Sequence, residues 1–64
     1  MQNRTIETLH RNGVAVQIDA FTGEIVAVLD AVTGLPARIM HKPSVISEAV
    51  RFAEDSIFSL AELG

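Results

Sequence analysis

The string Asp-Ala-x-Thr-Gly occurs twice in the chain, as Asp19-Ala20-Phe21-Thr22-Gly23 and as Asp30-Ala31-Val32-Thr33-Gly34. Glycine reaches positive φ at little steric cost, and Asp and Thr side chains bond the backbone of a turn, so each copy reads as a strand reversal. Asn12-Gly13 adds a third reversal signal, of the strongest short-range kind. Turns so closely and evenly spaced predict a β-meander. The repeat constrains architecture and names no reaction.

Val14, Val16, Ile18 and Ala20 alternate with Ala15, Gln17, Asp19 and Phe21, the period of a strand with one face on a core. Glu24 to Val32 is nearly continuous apolar sequence, with Ile25, Ala27 and Leu29 on one face and Val26 and Val28 on the other. That pattern predicts a middle strand covered on both sides. Leu35 to Met40 is expected as the third strand, at an edge because Pro36 cannot donate a ladder hydrogen bond. Met1 to Arg11 fits two readings. One is a short helix capped by Asn3 or Thr5 with Ile6 and Leu9 on one side, and the other is a frayed strand.

From Ser44 the period becomes helical. Ile46, Ala49, Val50, Ala53, Ile57, Leu60 and Ala61 form a stripe, opposite Glu48, Arg51, Asp55 and Glu62. Ser44 is the expected N-cap, with Pro43 before it, and Gly64 ends the helix. At ~100° per residue, Phe52 and Phe58 fall about 120° to either side of Ile46, and Val45 and Leu63 widen the Phe52 margin. One small sheet does not cover so broad an arc, which predicts a self-association or partner surface beyond the core stripe. The plainer reading is two partly exposed phenylalanines on a surface that is normally more than half apolar. The expected fold is a single α+β domain over residues 1–64. It is a three-stranded antiparallel β-meander with a C-terminal α-helix packed on one face, with a short N-terminal helix as an option.

A domain of ~60 residues buries only about 60% of the surface its unfolded chain exposes. With no cysteine to staple it, a 64-residue chain is expected to recover stability from a protein partner or a second copy, most simply as a homodimer. Net charge is −3, with Arg4, Arg11, Arg38, Arg51 and Lys42 scattered and no Trp or Tyr, so no phosphate-binding face or stacking platform is expected. Glu48, Glu54, Asp55 and Glu62 are too sparse for a DNA mimic. No apolar run approaches the ~20 residues of a membrane span, and Met1 to Thr5 lacks the apolar core of a secretory signal. The expectation is a cytoplasmic chain with no membrane insertion.

Catalytic groups are hard to assemble from these residues. Successive turns of a meander lie at opposite ends of the sheet, so Asp19 and Asp30 are expected to stabilise turns rather than converge on an ion or a proton. The string also lacks the adjacent Asp-Thr-Gly of aspartic proteases. His10 and His41 offer no ligand spacing and are expected as solvated loop residues, with no metal. Ser44, Ser47, Ser56 and Ser59 have no histidine at helical spacing, and Gly13, Gly23 and Gly34 are too dispersed for a phosphate loop. No enzyme activity and no cofactor are expected. Arg38 is expected either to meet a nearby carboxylate or to stay solvated at an edge.

The stretch from Val14 to Ala49 resembles the FlaG family of small bacterial flagellar proteins. That family's pattern runs from alternating apolar residues into an Asp, then a Thr-Gly turn, a valine-rich strand and a second Asp-x-x-Thr-Gly. An Arg follows just ahead of an Ile-Pro-Pro helix start. Here Val14, Val16 and Ile18 lead to Asp19 and Thr22-Gly23, then Ile25-Val26-Ala27-Val28, then Asp30 and Thr33-Gly34. Arg38 falls at the family's Arg, Met40 at its Ile, and His41-Lys42 stands in place of Pro-Pro. The resemblance implies a helix–three-strand–helix fold and a non-enzymatic role around flagellar filament assembly, with location at the flagellum. It makes Arg38 part of a contact surface, and the working surface of such a module is expected at the helix margin around Phe52, Phe58 and Leu63 or at the exposed edge strand. A small phage or mobile-element regulator that binds and inhibits a host protein complex fits the same length, charge and lack of catalysis.

Overall fold

Each of the three turn signals reverses or ends a strand. The computed structural model describes residues 5–63, with side chains through residue 58. It contains β1 (Ile6–Arg11), β2 (Val14–Asp19), β3 (Ile25–Asp30), a single helical turn α1 (Ala37–Met40) and the long helix α2 (Pro43–Leu63). Asn12 and Gly13 both take positive φ, 54° and 80°, the combination a two-residue type I′ hairpin requires. That turn fixes Arg11 opposite Val14 and, by register, Ile6 opposite Asp19. The sheet is antiparallel, in the order β1-β2-β3.

This is the expected α+β meander and helix, with its strands placed differently. Ile6 to Arg11 is a strand, so the short N-terminal helix is not formed there; the proposed cap Asn3 lies outside the described residues. Val14 to Asp19 is the middle strand, and Glu24 to Val32, expected in the middle, supplies the outer β3. Leu35 to Met40 is not a strand. It makes one bridge, Leu29 to Pro36, and then turns helical. Pro36 has no N–H to continue the ladder, and its φ of −54° suits the entry to a helical turn. The expected third strand stops at its proline, and the vacancy is filled from the N-terminal side by Ile6 to Arg11.

The core lies between β2 and α2. Val14, Val16 and Ile18 are fully buried on one face, against Ala49, Ala53 and Ile57 of α2 and Ala37 of α1. Burying each of the three strand side chains stabilises the fold by about 1.5–3 kcal/mol. Ala49 and Ala53, one helical turn apart and fully buried, let α2 lie close to the strand. Ile46 and Val50 pack at the flank as the helical stripe predicts, and Leu60 and Ala61 lie outside the described side chains. The Lys42 carbonyl accepts from Val45 and Ile46, so the helix begins two residues earlier than a Ser44 cap predicts. Pro43 then occupies the first helical position, where its missing N–H costs nothing, and Ser44 lies within the first turn.

By strand alternation the second sheet face carries Ile6, Thr8 and His10 of β1, Ala15 and Gln17 of β2, and Ala27 and Leu29 of β3. No described helix packs on it. Among the described residues, no helix is long and apolar enough to cross a membrane.

Candidate interaction surface at the turn tips

The sequence repeat is a structural repeat, bond for bond. In the first turn the Asp19 N–H donates to the Glu24 carbonyl at 2.8 Å, and the Gly23 N–H donates to the Asp19 carbonyl at 2.7 Å. Asp19 Oδ1 accepts from the N–H groups of Phe21 and Thr22 at 2.8 and 3.2 Å, and Thr22 Oγ1 accepts from the Glu24 N–H at 3.2 Å. In the second turn the Asp30 N–H donates to the Leu35 carbonyl at 2.7 Å, and Gly34 N–H to the Asp30 carbonyl at 2.9 Å. Asp30 Oδ2 accepts from Val32 and Thr33 N–H at 3.0 and 2.8 Å, and Thr33 Oγ1 accepts from Leu35 N–H at 3.2 Å. Gly23 and Gly34 both sit near φ +80°, the left-handed conformation only glycine adopts cheaply. Each Asp–Thr pair thus satisfies the backbone donors of its own turn.

That closure leaves the residue between Ala and Thr with nothing to do inside the fold. Phe21 is 92% exposed and Val32, its counterpart, 91% exposed. The repeat therefore displays an apolar knob at each tip. Phe21 does so beside α2, where Ala20, Thr22, Gly23, Ile57 and Phe58 join it around a shallow open cleft of ≈ 500 Å³ with Glu54 and Asp55 among its lining residues. Phe58 is itself 70% exposed. Two aromatic side chains from distant parts of the chain thus share one surface. Alternation alone places Phe21 as one more strand residue; its equivalence to Val32 in the repeat is the signal that sets it at a tip.

The Phe52 margin is different. Phe52 is half-buried, and the Arg11 guanidinium lies over its ring at 5.0 Å from the centroid while reaching Glu48 at 3.4 Å. Phe52 and Phe58 therefore do not share the cleft. Leu63 lies outside the described side chains. Arg38, on α1 rather than on a third strand, is exposed and has no carboxylate partner among the described residues. It edges a smaller groove with Val28, Pro36, Ala37 and Ile46. Leu35, Ile39 and Met40 are exposed nearby.

Asp19 and Asp30 lie at opposite ends of the sheet, as the register places them against Ile6 and Val14 respectively. Among the described residues, no three His, Asp or Glu side chains are grouped to hold a metal ion. His41 corrects its expectation as a solvated loop residue. Its Nε2 lies 2.7 Å from Asp30 Oδ1, and both side chains are largely buried. The Thr33 N–H, then His41, then the Thr33 hydroxyl and the Val32 N–H lower the Asp30 carboxyl from its ordinary 3.8 to about 2, against the opposing pull of burial. These partners spend the carboxylate on structure.

Comparison with protein-family models, curated proteins and solved structures returns no match, so the surface is read from its own geometry.

Proposed function

We propose that the chain is a non-enzymatic protein-binding module that grips its partner through Phe21 and Phe58. The observation that carries this reading is the exposure of both rings, 92% and 70%, on one cleft at a turn tip held rigid by its Asp–Thr bonds. Exposed aromatics on a fixed scaffold are the composition of binding hot spots, since they bury much area at little cost in side-chain freedom. Glu54 and Asp55 at the same cleft favour a partner segment with an apolar anchor and basic flanks.

The resemblance to FlaG makes flagellar filament assembly the setting of this binding. The test is a pull-down with the tagged chain from a flagellated bacterium, run beside Phe58→Asp. Recovery of filament, cap or chaperone protein by the unaltered chain alone supports the reading. Recovery of none of these overturns the flagellar assignment, and a host enzyme recovered in their place assigns the chain to the regulator class.

A further inference from the structure

We propose that two copies of the chain join β1 to β1, in one register centred on Leu9, to form a continuous six-stranded sheet. The inference uses an edge distinct from the Phe21–Phe58 cleft and does not rest on the function proposed for that cleft. The two edges of the sheet are treated differently. Along β3 the chain itself runs past, bridging Leu29 to Pro36 and packing α1 beside the strand. Along β1 no described element covers the edge. β1 pairs with β2 without interruption over its six residues, with no proline, lysine or bulge to blunt the edge, and its two charged residues, Glu7 and Arg11, are of opposite sign.

The hydrogen-bonding groups available on that edge follow from one backbone bond. The Thr5 carbonyl accepts from the Ala20 N–H at 2.8 Å, so Thr5 faces β2. In an antiparallel ladder the direction alternates, so Glu7, Leu9 and Arg11 also turn their backbone groups inward. Ile6, Thr8 and His10 turn theirs outward. A second copy related by a two-fold axis through Leu9, perpendicular to the sheet, sets Thr8 opposite His10 of the second copy. Both residues then face across the seam and exchange both backbone bonds, and symmetry repeats the exchange on the other side of the axis.

The side chains select this register. Because the axis preserves the sheet's faces, Leu9 meets Leu9 of the second copy on the helix side, where Leu9 already packs against the core. Glu7 meets Arg11 of the second copy in a pair whose backbones do not bond, the arrangement that brings side chains closest. The two-fold makes that opposite-charge contact twice. Shifting the axis to Thr8 would set Glu7 against Leu9 and lose both ion pairs. Glu7 is exposed and has no ion partner among the described residues, while Arg11 reaches only as far as Glu48 and the Phe52 ring. The second copy supplies the cation that Glu7 lacks, on the same face as the Leu9–Leu9 contact.

Sedimentation and amide exchange on the full chain test this directly. The dimer, twice the 6.9 kDa chain mass, is expected at high micromolar concentration, with the Thr8 and His10 amides protected there and exchanging freely on dilution. Thr8→Pro removes an outward N–H and leaves the inward ladder intact, so it is expected to give a folded monomer. Glu7→Arg and Arg11→Glu are each expected to weaken dimerisation about tenfold or more, and the combined substitution to restore it. A monomeric chain at high concentration, unprotected Thr8 and His10 amides in a dimer, or a combined variant no tighter than the single ones would each overturn the proposal.

Discussion

His41 Nε2 donates to Asp30 Oδ1 at 2.7 Å, and through that bond the junction of α1 and α2 is tied to the second turn of the sheet. A carboxylate only accepts, so it is Nε2 that carries a proton in this bond. The same imidazole lies over the first hairpin, with Cε1 3.5 Å from where a Cβ on Gly13 would stand. The Ala31 N–H completes the assembly by donating to the Gly13 carbonyl at 2.8 Å. One histidine thus gathers both turns at that end of the sheet and the start of the long helix.

Acid sensitivity follows from the lowered Asp30 pKa. A carboxyl with a folded pKa of about 2 and an ordinary value of 3.8 contributes stability that is fully present above about pH 4. The contribution is lost as pH falls from there through about 2. Urea midpoints measured across that window should fall for the unaltered chain. Asp30→Asn should be less stable at neutral pH, because its amide nitrogen must then face either His41 Nε2 or the Val32 and Thr33 N–H groups, donors from which it cannot accept. It should also lose the Asp30 share of that pH dependence.

Gly23→Ala and Gly34→Ala should each cost about 1–2 kcal/mol, the penalty of a left-handed backbone for an L side chain. Nothing lies within 4 Å of a Cβ built at either position, so no clash adds to the conformational term. The two losses should match within experimental scatter, since the two turns share one bonding pattern. Equilibrium unfolding in urea reads both.

The buried alanines make a contrasting case. Ile18→Ala should cost about 2–5 kcal/mol by leaving a cavity against α2. Ala53→Leu should also destabilise, by about 1–3 kcal/mol, although it adds apolar area. Ala53 is fully buried in the helix–sheet contact and offers no room for a larger side chain. A gain in melting temperature for Ala53→Leu would show that α2 stands further from β2 than described.

At the cleft, stability and binding should separate. Phe58→Asp and Phe21→Ser replace exposed side chains and should move unfolding free energy by no more than about 0.5 kcal/mol. Each should nonetheless weaken partner capture, with circular dichroism unchanged. Equal losses in folding and capture would place Phe58 in the core instead.

Much of this arrangement is legible in the chain. The repeat announces both turns because their chemistry is local: the Asp, Thr and Gly that build each turn lie within five consecutive residues. The α2 stripe is legible for the same reason, as Ala49, Ala53 and Ile57 pack inward at helical spacing. Strand order is not local. Nothing within Ile25 to Asp30 records that β1 pairs on the far side of β2, so a strand apolar on both faces passes for a middle one. Pro36 carried the information that its strand would stop, but the alternative place for the chain depended on Ala37 finding the core. His41 is similar. Its partner lies eleven positions away, across a turn, and only the fold brings the two together.

If the Phe21 tip and the Phe58 flank of α2 form one binding surface, a bound partner must touch both. Backbone amide shifts of the isotope-labelled chain, titrated with the partner recovered by pull-down, test it most directly. The largest changes are expected to cluster at residues 20–23 and 54–58. Changes centred instead on Thr8, Gln17 and Ala27, across the uncovered sheet face, would contradict it.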